Sequence, residues 1–188
     1  MFAQIIRGKT FDPWAVRPLV DRWLKELAPG ATGWLGTTSG VTDDNELFER
    51  LILEINQAGL SWLTILKKRE AFKNAYSQFD LKTVASYTEA DRARLLADAG
   101  IIRNRLKVNA AIVNAQRILD LGGFAQWLDA NHPRDLAEWN KLFKKTFVFT
   151  GGEIVREFLV STGYLDGAHD EECPVFKRVA KKRPRWMK

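Results

Sequence analysis

The residues of this chain best suited to chemistry are an acid, an amide and an indole set close together, Glu54, Gln57 and Trp62, with Gly59 and Leu60 between them. At about 100° per residue, Glu54 lies about 20° round a helix from Leu47, on the flank of a stripe made by Leu47, Leu51 and Ile55. A carboxylate there is partly buried, unless it is an edge glutamate that reaches water or pairs with a nearby Lys or Arg. The segment NQAGLSW ends this helix and starts another, so Gln57, Gly59, Leu60 and Trp62 gather round one turn beside the acid. A buried carboxylate against a flat aromatic wall suits a planar base with exocyclic N–H donors, above all a cationic one.

A second cluster lies in LLADAGIIRNRLK, two helices joined by a tight turn at Gly100. Ile101 follows the glycine, and Arg103, Arg105 and Lys107 crowd the start of the second helix, where unpaired backbone N–H groups can hold a phosphate. Such a helical hairpin grips a DNA backbone without reading its sequence. It is also common in α proteins that bind nothing. Further helical spacing puts Leu106, Ala110 and Val113 on one side of that helix and Val108, Ile112, Ala115 and Leu119 on another, which predicts a central position. Thr150-Gly151-Gly152 opens another helix and reads as a capping turn rather than an anion cradle. His169 and Cys173 have metal-ligand spacing, but the chain has only one Cys and two His, so a zinc site would need carboxylates to complete it. No metal or other cofactor is expected. Phosphate-binding loops, nucleophile elbows, HExxH and dinucleotide fingerprints are absent from the sequence.

The elements that must position these residues are helical almost throughout. The one strand-like alternation, Phe147-Val148-Phe149, is too short to build a sheet. Helices are predicted from about Arg17 to Pro29, from Asp43 or Asp44 to Gln57, and from a cap at Ser61 through Tyr76. Two short ones start at Asp80 and Thr88. Others run from Asn104 to Leu121, Phe124 to Ala130, Asp135 to Lys144 and Gly152 to Thr162, with a Gly/Thr-rich loop at 30–42. With 188 residues, 46% of them hydrophobic, one core and one domain suffice. A single Cys rules out an intramolecular disulfide and suits a reducing cytosol, and no window approaches a membrane span of roughly 18 apolar residues. The net charge of +6 is not spread evenly. Seven of the 29 Lys and Arg lie in 177–188 with no acid among them, leaving 22 basic residues against 23 Asp and Glu elsewhere. The division is therefore a helical domain over 1–176, its first 42 residues divergent, and a basic tail over 177–188. That tail is either a solvated, frayed terminus or a grip for a polyanion.

The stretches LFERLILEINQAGLSWLTILKKREAFKNAYSQFD and LLADAGIIRNRLKVNAAIVNA, with FVFTGGEIVREFLVSTGYLDGAHDEEC further on, resemble the DNA-3-methyladenine glycosylase I family. The likeness runs from about Asp43 to Cys173. It implies an all-α, single-domain helix-hairpin-helix fold that flips a base into a pocket and hydrolyses its N-glycosidic bond, leaving an abasic site. The partner implied is double-stranded DNA with alkylated bases, met by a cytoplasmic, nucleoid-associated bacterial monomer. On the same resemblance Glu54 accepts hydrogen bonds from the alkylated adenine and supplies the electrostatic catalysis, while Trp62 is the stacking wall. Gln57, Gly59 and Leu60 enter the space the base leaves, and Gly100, Ile101, Arg103 and Lys107 hold the DNA backbone. No nucleophile-activating Asp is implied. Two family features are missing: the N-terminal Cys and a Tyr-His-Asp-x-Glu-Trp-Gly run, where this chain reads GWLGTTSGVTDD. Of the four zinc ligands only His169 and Cys173 remain, and the pocket tyrosine is gone. The competing reading is a DNA-binding relative that recognises damaged or distorted DNA without releasing a base.

Overall fold

A computed structural model describes residues 41–167 and 174–188, except for the side chains at 62, 63, 174, 175 and 178. The helix read at Arg17 to Pro29, most of the Gly/Thr-rich loop, His169 and Cys173 lie outside the described residues. Among the described residues the chain is all-α. Helix α1 spans Asp44–Gln57 and α2 spans Trp62–Ala75; a 3₁₀ turn at Ser77–Phe79 leads to α3, Leu81–Ala85, and α4, Glu89–Ala97. Then come α5, Arg105–Asp120; α6, Phe124–Asn131; α7, Leu136–Thr146; α8, Gly152–Thr162; and α9, Pro174–Lys181. A last 3₁₀ turn covers Arg185–Met187.

Local chemistry sets most of these boundaries. Asp43, Ser61, Asp80, Asn104 and Asp135 each accept a backbone N–H of the first helical turn with their side chains, and Thr88 with Asp91 forms a capping box. Helix α1 is the axis of the molecule: every residue from Leu47 to Asn56 is buried. It packs against α2, α5, α6 and α8. Polar bonds fix its start and middle. The Asp44 carboxylate accepts the Ala125 N–H at 2.7 Å, tying α1 to the start of α6. Arg50, with no exposed surface, donates to Ser161 O at the end of α8 and to Glu46 Oε1, both at 2.7 Å.

Aromatic packing fills the space round this axis. Phe124 stacks on Phe158 at 5.3 Å, and Phe143, Phe147, Trp127 and Trp139 close round the pair edge-on or tilted. The segment after α7 is pinned to α5 by a reciprocal pair, in which Asn114 Nδ2 donates to Val148 O and Val148 N donates back to Asn114 Oδ1.

Two features depart from the sequence reading. Residues 177–188 are no frayed tail: α9 reaches Lys181, Val179 and Pro184 are buried, and Trp186 N donates to Gly163 O at 3.1 Å. Arg185 forks onto the Asp129 carboxylate, which also accepts the Tyr164 hydroxyl at 2.7 Å. Leu106, placed by helical spacing on an apolar side of α5, is 67% exposed beside the solvent-facing Arg103 and Arg105.

Candidate active site

Glu54 stands one turn from the end of α1 and is 1% exposed. The register between α1 and α8 decides its company. Arg50 reaches Ser161; one turn further along α1 stands Glu54, and one turn back along α8 stands Glu157, itself 6% exposed and 2.6 Å from Arg156 Nη1. Burial, and after it the Glu157 charge, raise the Glu54 carboxyl from its ordinary 4.5 to about 8, with Arg50 pulling the other way. Among the described residues nothing donates a hydrogen bond to its Oε1. A buried carboxyl with an open acceptor is costly to the fold unless it is neutral, and it gains when a cation or an N–H donor comes to it. The edge-glutamate alternative, an acid reaching water, does not hold.

Directly after α1 comes the turn. Gly59 adopts φ +81°, a left-handed conformation that L side chains rarely take, although no atom of the described residues stands within 4 Å of where a Cβ would sit. Leu60 N donates to Gln57 O at 2.7 Å, and Gln57 Nε2 donates to Leu60 O at 3.1 Å, so the loop is closed from both directions. Leu60 is left 39% exposed at its tip. Ser61 then caps α2, whose first residue is Trp62; the Trp62 side chain is outside the described set.

The hairpin between α4 and α5 is closely packed at Gly100. A Cβ on Gly100 would fall 2.9 Å from Asp98 Oδ1 and 3.1 Å from the Ala71 Cβ, and the Gly100 N–H already donates to Asp98 Oδ1 at 2.7 Å. From α2, Lys68 Nζ donates to Ala99 O and Gly100 O at 2.9 and 3.1 Å. Ile101, 3% exposed, roots the loop in the core, while Arg103 and Arg105 stay at the surface. Asn104 Oδ1 accepts the N–H groups of Leu106 and Lys107, so part of the helix start that the sequence offered to an anion is already paired.

Lys107 departs most from the sequence reading. It is 5% exposed and points inward, donating to Asn56 O at 2.9 Å and Ala58 O at 2.7 Å beneath the Gln57–Leu60 turn. Turn and hairpin are thereby joined. The structure thus brings Glu54, Gln57, Gly59 and Leu60 together and sets Gly100, Ile101 and Arg103 on the adjoining hairpin.

In sequence and in fold the chain is similar to known proteins. Residues 33–134 match the family described as methyladenine glycosylase. The chain belongs to this family. A DNA-3-methyladenine glycosylase 1 of Escherichia coli K12 is 51% identical over 148 residues, covering 66% of this chain and 79% of that one. The Haemophilus influenzae Rd DNA-3-methyladenine glycosylase is 34% identical over 155 residues, with 70% and 83% covered. Among solved structures, 3-methyladenine DNA glycosylase I of Staphylococcus aureus superposes with a TM-score of 0.68 at 31% identity, over 81% of this chain and 96% of that one. A variant of 3-methyladenine DNA glycosylase I solved in complex with 3-methyladenine gives 0.68 at 31% identity, covering 80% and 97%.

The zinc site found by resemblance in this family does not fit this chain. One Cys and two His cannot supply such a donor set, and His132 is packed edge-on against the Tyr164 ring. Among the described residues no group of three His, Cys, Asp or Glu is placed to hold a metal ion. Sequence reasoning missed Glu157 and Arg50. Both had a signal: Arg50 shares the Leu47–Glu54 face of α1, and Glu157 interrupts the buried run Ile154, Val155, Phe158 of α8.

Proposed function

We propose that this methyladenine glycosylase family member excises alkylated purines such as 3-methyladenine from DNA, opening base-excision repair by hydrolysing the N-glycosidic bond. The observation that carries this reading is Glu54, a fully buried carboxyl one of whose oxygens has no donor among the described residues, on the last turns of the helix that leads into the exposed Leu60. The substrate is double-stranded. Leu60, braced by Gln57 and Gly59, takes the place of the extruded base, and the base stacks on Trp62 and presents its N–H donors to Glu54. Glu54, ionised by the approach of a cationic base, stabilises positive charge as the C1′–N bond lengthens. The base departs neutral, water adds to C1′ and gives its proton to solvent, and an abasic site remains.

The backbone grip falls to the Gly100–Ile101 loop and Arg103, contacts that position the duplex without reading its sequence. The protein acts as a monomer in a bacterial cytoplasm, associated with the nucleoid when bound. Among the described residues no helix is long and apolar enough to cross a membrane. The test is direct: incubate the purified protein with N-methylated duplex DNA and separate the released bases by chromatography. Free 3-methyladenine is the expected product. Tight binding to the damaged duplex with no base released would instead identify a recognition protein.

A further inference from the structure

The three cations of the hairpin divide. Arg103 and Arg105 face solvent, whereas Lys107 is buried with its ammonium against Asn56 O and Ala58 O. Those carbonyls belong to the end of α1, where the last four C=O groups have no partner within the helix. The end is poorly closed by itself. Ala58 leaves the helix at φ −53° and ψ 118°, its N–H reaches Glu54 O at only 3.3 Å, and the last turn of α1 contains no basic residue. A cation at a helix C-terminus is favoured by the helix dipole, and here it comes from α5, 49 and 51 residues further along the chain. Phe149, 5.9 Å from the ammonium, presents the face of its ring to the same charge.

We propose that Lys107 is a positioning residue for base extrusion, a clamp that holds the Gln57–Leu60 turn in the shape that presents Leu60 to DNA. The clamp holds the carbonyls on either side of Gln57; Gln57 in turn holds Leu60 O, and Ala58 N holds the backbone of Glu54. Wedge and base-recognising carboxyl are thereby kept at a fixed separation. An apolar side chain at 107 would take the ammonium donor from one buried and one part-buried carbonyl and let the turn relax. The inference rests on the glycosylase reading for its purpose, but its test does not require excision.

The experiment compares the protein with Lys107→Met, Leu60→Ala and the double variant. Each is tested for binding to a duplex bearing an abasic-site analogue and to the same duplex intact, over a salt series, with melting temperatures measured in parallel. The expected result is a fall of about ten- to a hundred-fold in preference for the abasic duplex in Lys107→Met, the scale of a catalytic or binding group misplaced by about 1 Å. The double variant should be no worse than the poorer single one, because both substitutions act on one turn. The salt slope for intact duplex should be unchanged. A slope reduced by about one unit would make Lys107 a phosphate contact and overturn the proposal. Additive effects would overturn it too, as would an unchanged abasic preference despite a lower melting temperature. If Lys107→Met does not fold, the same cycle is run with Lys107→Arg, which keeps the charge but not the single apex between two carbonyls. An inactive but abasic-selective wild type would sink the excision reading while leaving the clamp standing.

Discussion

At Glu54 the fold and the ligand impose opposite demands. The native state favours the neutral carboxyl, and a cationic base favours the charged one. With a folded value of about 8 against an ordinary 4.5, the native protein binds more protons than the unfolded chain between those limits. The stability this confers is complete below pH 4.5 and is lost as pH rises through 8. Glu54→Gln should therefore melt like the wild type near pH 4 and be more stable near pH 9, by on the order of a few kcal/mol. Activity should move the other way. The wild-type kcat/KM for a cationic base should climb as pH approaches 8, while Glu54→Gln loses that limb and falls by roughly ten- to a thousand-fold, about 1.4 to 4 kcal/mol. A flat wild-type profile, or a fully active Glu54→Gln enzyme, would remove Glu54 from the chemistry. Trp62→Ala should cost about 1–3 kcal/mol of base binding, read as a raised KM on alkylated duplex. A change in melting temperature alone would make that indole structural.

Among elements, the hairpin and the turn answer to different measurements. Arg103→Gln, at the surface, should weaken binding to all duplexes alike and flatten the salt dependence by about one unit of slope. Leu60→Ala should leave the slope alone and lower only discrimination for a flipped or missing base. If Arg103→Gln leaves affinity untouched at low salt, the hairpin is not the grip. The contrast also shows what sequence can reveal. The starts of α1, α2, α3, α4, α5 and α7 were legible because an Asp, Ser, Asn or Thr cap acts within three residues of itself. Glu54 and the Gln57–Leu60 turn were legible for a similar reason, an acid beside an apolar stripe followed by a glycine that must turn. The inward direction of Lys107 was not, since Arg103, Arg105 and Lys107 alternate as one charged run and only the packing of α5 against α1 makes the last of them different. Glu157 lay 103 positions from Glu54, a separation at which spacing carries no information. Helix α9 was missed because its seven-cation surroundings outweighed the apolar Phe176 and Val179.

For the molecule as a whole, the issue is what secures its C-terminal end when the chain has too few Cys and His for the zinc site that the resemblance implies. Elemental analysis of protein purified without added metal should find none in stoichiometric amount, since the donors are too few. The C-terminal segment is closed instead by a clasp. Asp129 takes the Arg185 fork and the Tyr164 hydroxyl, Arg185 also lies over the Tyr164 ring at 4.7 Å, and Phe176 packs on Trp186 at 6.2 Å. The Arg185 bonds, then that of Tyr164, hold the Asp129 carboxyl below its ordinary 3.8, so the stabilisation is complete at neutral pH and is lost as pH falls through the depressed value. Half of the Asp129 side chain is exposed, so solvent screens the pair and its share is modest. Taking about 1 kcal/mol for the charged bonds that remain after screening, Asp129→Asn should lower Tm by roughly 2–4 °C at pH 7. The difference should shrink as pH falls below 3.8 and vanish below the depressed value, where the folded wild-type carboxylate is itself protonated. Deleting 177–188 removes the buried Val179 and Pro184 as well as Arg185, so its Tm should fall further than that of Asp129→Asn. An unchanged Tm after that deletion would show that the clasp contributes nothing, and would return the seven cations to the tail reading, a solvated, frayed terminus or a grip for a polyanion.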